Sequence, residues 1–336
     1  MTTAAGTRTT STTRAPGGPT AGWGTTRTVL RLHRAALLLW ALTVTGLVAG
    51  LVWLTEVTAD EARARQRACE RAVQDWCDTT FDVGHVGDVS EPLTWIGLVT
   101  CFSYVAVAAF AGGALIGRDL ENGTARLAWT QGVSPARWLT AKLAVPALAV
   151  TAGTTVLVMA FRWAWEANLD LTYDEWMYGE AYLARGTTAV AYALCALALG
   201  TLAAFLLRRA LPALGAAVAA SGLLHFVLDR YRGSLWPAVT RTLPVDHDTL
   251  PENAWQVDYG VLVNGRPAPD AKPWTCEGSA AETQRCLDDM GVTGFFSTFH
   301  PESHYWPLQL VESGIVLAVA ALAATASFLL LRRRTA

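Results

Sequence analysis

Six stretches of the chain are apolar over about the thickness of a bilayer. They are Ala35–Thr55, Leu93–Ile116, Leu143–Trp163, Thr187–Leu207, Ala210–Leu228 and Gln309–Leu331. A helix needs roughly 20 apolar residues to cross a hydrocarbon core. The pattern therefore predicts an all-α polytopic membrane protein with six transmembrane helices and a small extracytoplasmic domain before the last span. The fourth and fifth stretches are separated only by Arg208 and Arg209. Two arginines in mid-bilayer would be expensive, so this reads as a tight hairpin and not one long helix.

The polar segments divide the chain further. Residues 1–22 are rich in Thr, Gly, Ala and Pro and read as a disordered tail. Residues 23–228 hold the first five spans. Their lead-in, Trp23–Arg34, alternates apolar and basic residues, as an amphipathic helix in the headgroup plane would. Residues 229–308 are long enough for a small domain, in which Val261-Leu262-Val263 followed by Asn264-Gly265 reads as a strand and turn. Residues 309–336 are the last span and a basic tail. Gly46/Gly50 and Gly113/Gly117 have the spacing of close helix packing.

Gly117–Lys142 is the most patterned of the connecting segments. Asp119–Thr130 reads as one short helix with Asp119 and Glu121 in its first turn, where the helix dipole favours acids. Leu120, Leu127 and Trp129 offer apolar surface, and Gly132 can end the helix. Ser134-Pro135 fits an N-cap and first residue of the next helix. Arg137 and Lys142 mark the membrane boundary.

Composition supports the membrane reading. Apolar residues make up 52% of the chain and charged residues 16%, against roughly 25% charged in soluble domains. Lys142 and Lys272 are the sole lysines, and the bias to Arg and Ala fits a GC-rich bacterial genome. Charge is distributed unevenly. With the N-terminus inside, the inner segments hold fourteen Arg and Lys but only two acids, Asp119 and Glu121. Bases near span ends set orientation, so both termini and Gly117–Lys142 are expected on the cytoplasmic face of a bacterial plasma membrane. The first apolar run is too long for a cleaved signal and reads as an anchor.

Four cysteines then face an oxidising space, where Cys69 with Cys77 and Cys276 with Cys286 is the simplest of three pairings. Several tryptophans fall at span ends, as in an ordinary aromatic belt.

Candidate chemistry is sparse. Both lysines follow Ala, so neither belongs to a phosphate-binding loop, and no Gly-x-Ser-x-Gly elbow occurs. The ionisable residues in apolar stretches, Arg162, His225 and Glu312, fall near outer ends, where side chains can snorkel. His300 and His304 could share a helical face at a spacing metals use, and Asp246-His247-Asp248 is a second polar patch. Neither matches a metalloprotease pattern, and no catalytic, cofactor or metal site is expected. Nothing points to nucleic acid.

Arg118-Asp119-Leu120-Glu121-Asn122-Gly123-Thr124, then Leu127, Ser134, Arg137, Trp138 and Lys142, resembles the cytoplasmic loop of type-2 ATP-binding cassette (ABC) exporter permeases. That loop carries an acid before Gly-Thr, a later Ser/Arg pair and a Lys opening the third span. Here Pro135-Ala136 separates Ser134 from Arg137. His300-Pro301, Trp306 to Gln309, Glu312 and the terminal arginines are similar to actinobacterial members. The resemblance implies a permease subunit of an exporter, with Asp119, Glu121, Gly123, Thr124, Arg126, Leu127 and Trp129 forming a short cytoplasmic coupling helix. It implies three partners: a cytoplasmic ABC ATPase that carries the ATP, a second permease copy or related subunit, and membrane lipid. A membrane anchor or sensor whose outer domain binds a ligand is the alternative.

Overall fold

The structure is a computed structural model that describes residues 27–72, 82–172, 176–243, 250–251, 253–268 and 270–335. The tail 1–22, the Cys69–Cys77 pairing (through Cys77) and Asp246-His247-Asp248 lie outside the described residues. Of the lead-in, residues 27–32 are helical and bury only Val29.

Six helices are long and apolar enough to cross a membrane: Arg34–Cys69, Gly87–Glu121, Pro135–Ala167, Thr187–Leu207, Ala210–Ser234 and Glu302–Thr335, numbered spans 1 to 6. Each contains one of the six apolar stretches. The chain is a multi-pass membrane protein. Span 1, at 36 residues, is about 54 Å long at about 1.5 Å per residue, against about 30 Å of hydrocarbon. It therefore continues beyond the bilayer as a charged helix. There Arg65 pairs with Asp88 at 3.3 Å, and Arg63 pairs with Asp170 at 2.9 Å.

Span 4 is the most enclosed span, and spans 2, 3, 5 and 6 pack around it. Small residues permit this. A Cβ on Gly200 would lie 2.6 Å from Ala111 Cβ and 2.8 Å from Gly112 N; one on Gly112 would lie 2.7 Å from the Ala213 carbonyl. Gly113 and Gly117 meet Leu214 and Ala210 of span 5, while Gly46 meets nothing within 4 Å. The close-packing reading thus holds for Gly113 and Gly117, whereas of the other pair only Gly50 approaches a neighbour, with room for a Cβ 3.8 Å from Ile96 of span 2. Span 2 widens into a π-helix over Phe110–Gly117, the segment that carries these glycines.

The hairpin between spans 4 and 5 turns on Arg208, at φ 54°, and Arg209, in extended conformation. Arg334 at the end of span 6 donates to the Phe205 carbonyl at 2.7 Å and covers the end of span 4.

A four-stranded antiparallel sheet stands at the opposite end, in the order β1-β4-β2-β3. Its strands are Val239–Leu243 (β1), Trp255–Val263 (β2), Arg266–Pro267 (β3) and Val292–His300 (β4). The expected turn joins β2 to β3, with Asn264 at φ 51° and Gly265 at φ 75°, the positive values a tight hairpin requires. Helix Ala280–Asp289, started by a Ser279/Glu282 capping box, covers the sheet, and Cys276 and Cys286 form a disulfide. Val261, Leu287 and Val292 make a small separate core. Trp176 fastens the sheet to the spans: its indole donates to the Asn253 carbonyl at 2.6 Å, and its ring meets Trp255 and Tyr305 edge-on.

Candidate functional site

The segment between spans 2 and 3 differs from the expected single helix. Span 2 runs on to Glu121, the chain breaks at Asn122-Gly123, and a separate helix covers Thr124–Thr130. Gly123 has φ 72°, a left-handed conformation that favours glycine and stops any helix. The Thr124 hydroxyl donates to the Asp119 carbonyl at 3.3 Å across the break. Gly132, at φ 87°, ends the short helix. Ser134 then caps span 3, accepting from the Arg137 N–H at 3.4 Å, with Pro135 as its first residue.

The two acids consequently lie at the end of span 2, where the dipole disfavours them, and each is held by another partner. Glu121 accepts from the Ala210 N–H at 2.9 Å. It caps the N-terminus of span 5 from 89 residues away in sequence, so its charge meets the favourable end of a different dipole. Asp119 pairs with Lys142 at 2.9 Å.

Lys142, expected at the membrane boundary, is buried. It is 3% exposed, packed between spans 1, 2 and 3. Its ammonium meets Asp119, the Leu115 carbonyl at 3.2 Å and His33 Nε2 at 3.2 Å. An ammonium only donates, so His33 Nε2 accepts and the imidazole proton is on Nδ1. The ring packs edge-on against Phe110.

Burial, and next Lys142, hold the His33 pKa below its ordinary 6.5, with Asp119 opposing. A depressed folded pKa means that the neutral ring stabilises the fold. That contribution is fully present above pH 6.5 and is lost as pH falls through the folded value. Thermal midpoints of purified protein between about pH 7.5 and about pH 5 are expected to fall more steeply for the native chain than for His33→Gln. Parallel curves would remove His33 from the account.

The remaining residues of the segment fall into two layers. Ala125 is buried, and Leu120, Ala128 and Trp129 pack against the core. Trp129 meets the buried Trp138 edge-on at 5.8 Å, and its indole nitrogen is buried without an acceptor. It thus belongs to the inward face and not to the free apolar surface expected from its position. Arg126 and Leu127 point outward, Leu127 at 59% exposure, and Arg126 has no acidic partner among the described residues. Sequence periodicity alone could not separate these layers, because seven residues make only two turns.

Glu312 does not snorkel. It is completely buried, with Oε2 3.0 Å from Arg232 Nε and Oε1 accepting from Tyr192 at 3.0 Å. Arg232 also pairs with Asp229 at 2.8 Å and stacks over Tyr182. His225 lies among Phe102, Tyr104 and Tyr192. This cluster joins spans 2, 4, 5 and 6 at the sheet end.

His300 and His304 are bound to each other, Nδ1 to Nδ1 at 3.0 Å, while His300 Nε2 lies 2.9 Å from the Gly233 carbonyl. A carbonyl only accepts, so His300 Nε2 donates and its Nδ1 accepts from His304. The pair is a clasp between the sheet and the end of span 5. No grouping of three or more His, Cys, Asp or Glu that could hold a metal occurs among the described residues.

A family model described as ABC-2 membrane transporter related matches residues 36–232. The match takes in spans 2 to 4, nearly all of spans 1 and 5, and the entire segment between spans 2 and 3. No curated protein and no solved structure matches the chain.

Proposed function

Because that match covers more than half of its length, the chain belongs to the ABC-2 membrane transporter related family, and we propose that the helix Thr124–Thr130 is the handle by which a separate ATPase subunit moves this permease. The family is that of membrane transport components without an ATPase site of their own. The finer reading is that the subunit works in export from a bacterial cell. ATP binds and is hydrolysed on the partner, a second permease copy or related subunit completes the pathway, and both termini face the cytoplasm with the handle.

One observation carries the reading. The short helix presents Arg126 and Leu127 outward while its attachments reach four spans. Asp119, in the last turn of span 2, grips Lys142 of span 3, Lys142 touches His33 before span 1, and Glu121 holds the first N–H of span 5. Gly123 is the one break between the outward helix and those grips. A push on the helix is therefore delivered to packed, charge-paired residues, which have discrete arrangements and do not deform continuously.

The test is co-purification of the membrane subunit with candidate ABC ATPase subunits from the same organism. Leu127→Asp and Arg126→Glu are expected to weaken association by about tenfold or more, as for exposed anchors at an interface, with no change in thermal midpoint. Unchanged association in both variants would refute the docking role. Glu121 and Trp129 do not serve for this purpose, since both hold the bundle together.

A further inference from the structure

We propose that Arg185 and the start of span 4 form a binding site for the anionic headgroup of an amphiphile, whose tail occupies the cavity between spans 3, 4 and 6. The inference goes beyond the transport reading and does not rest on it.

The cavity has a volume of about 390 Å³ and lies at the sheet end of the bundle. Its walls are apolar, with Val158 and Met159 from span 3, Val190 and Leu194 from span 4, and Leu317 from span 6. Met159 and Leu317 are 67% and 43% exposed, so the cavity opens sideways, between spans 3 and 6, onto the surface that faces lipid. An acyl chain can enter there without leaving the hydrocarbon.

Arg185 closes the other end. It is 6% exposed, yet its Nε and Nη1 are buried without a hydrogen-bond partner. Among the described residues no carboxylate lies within ion-pair distance of it. Glu166 and Glu302 act on it only from beyond that distance, and Glu166 is held by Arg162 at 2.7 Å. The guanidinium stacks on Trp165, 3.4 Å from the ring centroid, and lies 5.1 Å from that of Tyr305. Aromatic faces attract the charge but accept none of its N–H bonds. A buried, unpaired guanidinium is among the least favourable groups in a protein interior, and more so within a membrane. An anion supplies what it lacks, because the guanidinium fork matches the paired oxygens of a phosphate or carboxylate.

The backbone adds to this. Thr187 opens span 4 directly after Arg185-Gly186, and the N-terminus of a 21-residue helix carries partial positive charge. A side chain on Gly186 would collide with Gln309, which accepts from the Thr188 N–H at 3.1 Å. The close approach of span 6 thus fixes this turn. The hydroxyls of Thr187 and Ser313, 2.8 Å apart, line the same cavity. With Arg162 already paired, one guanidinium remains, which suits a headgroup with one negative charge.

The test uses the full chain in nanodiscs, with lipid retention read by native mass spectrometry and no ATPase present. The probes are phosphatidylglycerol and phosphatidylcholine with identical acyl chains. The native protein is expected to retain phosphatidylglycerol about tenfold or more over phosphatidylcholine, the scale of a charged hydrogen-bonded contact. Arg185→Gln is expected to abolish the preference. Val190→Phe, which fills the cavity and leaves the charge, is expected to weaken retention of phosphatidylglycerol, and it decides the matter if Arg185→Gln fails to fold. No preference in the native protein, or full retention in either folded variant, overturns the proposal. Inorganic phosphate displacing the lipid at equal concentration would show a site for a bare anion and overturn the amphiphile assignment.

Discussion

Replacing Glu312 with Ala is expected to destabilise the bundle by about 3–5 kcal/mol, the usual effect of removing one partner from a buried ion pair. Glu312 has no exposed surface, and both carboxylate oxygens are engaged, by Arg232 and by the Tyr192 hydroxyl. Arg232 is itself 2% exposed, and its Nη2 already has no acceptor. Without Glu312 its remaining charge partner is Asp229, which pairs with it at 2.8 Å from a half-exposed position. Glu312→Gln retains an acceptor for Tyr192 and loses the charge, so an intermediate effect is expected. The double variant Glu312→Leu with Arg232→Met is expected to recover most of the loss, because an apolar pair removes the stranded charge. Denaturation in mixed micelles measures all of these. A Glu312→Ala protein within about 0.5 kcal/mol of the native chain would show that this pair does not hold spans 5 and 6 together.

Lys142→Met is the second large effect, expected at about 3 kcal/mol or more by the same argument. Three acceptors converge on one ammonium: a carboxylate, a carbonyl and an imidazole nitrogen. Removing it strands Asp119, whose side chain is 20% exposed, beside the apolar end of span 2. Lys142→Arg is not a mild change here, because a planar fork does not reproduce three converging bonds to one nitrogen. Asp119→Asn is expected to be milder, since an amide oxygen still accepts. The outward face of Thr124–Thr130 is untouched by these changes. Lys142→Met is therefore expected to keep ATPase association at a permissive temperature and to lose stimulation of ATP hydrolysis by the membrane subunit. Normal stimulation with a lowered thermal midpoint would mean that Lys142 is structural alone.

The six spans were legible because length and apolarity are local properties that any bilayer reads in the same way. The break after span 4 was equally legible, since Arg208-Arg209 permits no other arrangement in lipid. The Asn264-Gly265 turn and the Ser134 cap follow from single-residue backbone preferences. Sequence reasoning failed where a residue's partner is far away in the chain. Asp119 and Glu121 looked like the first turn of a helix, and the dipole argument was sound for that case. The structure gives them to Lys142 and to span 5 instead, and lets Gly123 begin a new helix. Trp129 looked like docking surface until Trp138 covered it. Glu312 looked able to reach water, but Arg232, from the end of span 5, meets it inside the bundle.

The sheet was half visible. Val261-Leu262-Val263 followed by Asn264-Gly265 read as a strand and turn, whereas β1 and β4 lie about sixty residues apart and become strands by pairing with each other.

Local chemistry thus determined the number of spans, where each falls in sequence and the uneven charge between the two ends, because hydrocarbon tests each segment separately. The chain also carries no phosphate-binding loop motif. Tertiary structure alone decided which charges are paired and which face outward. Lys142 and Glu312 are buried in pairs, Arg185 is buried without one, and Arg126 and Leu127 are left exposed. The physical reason is that the worth of a charge depends on its solvent and its neighbours, and both are set by segments dozens of residues away.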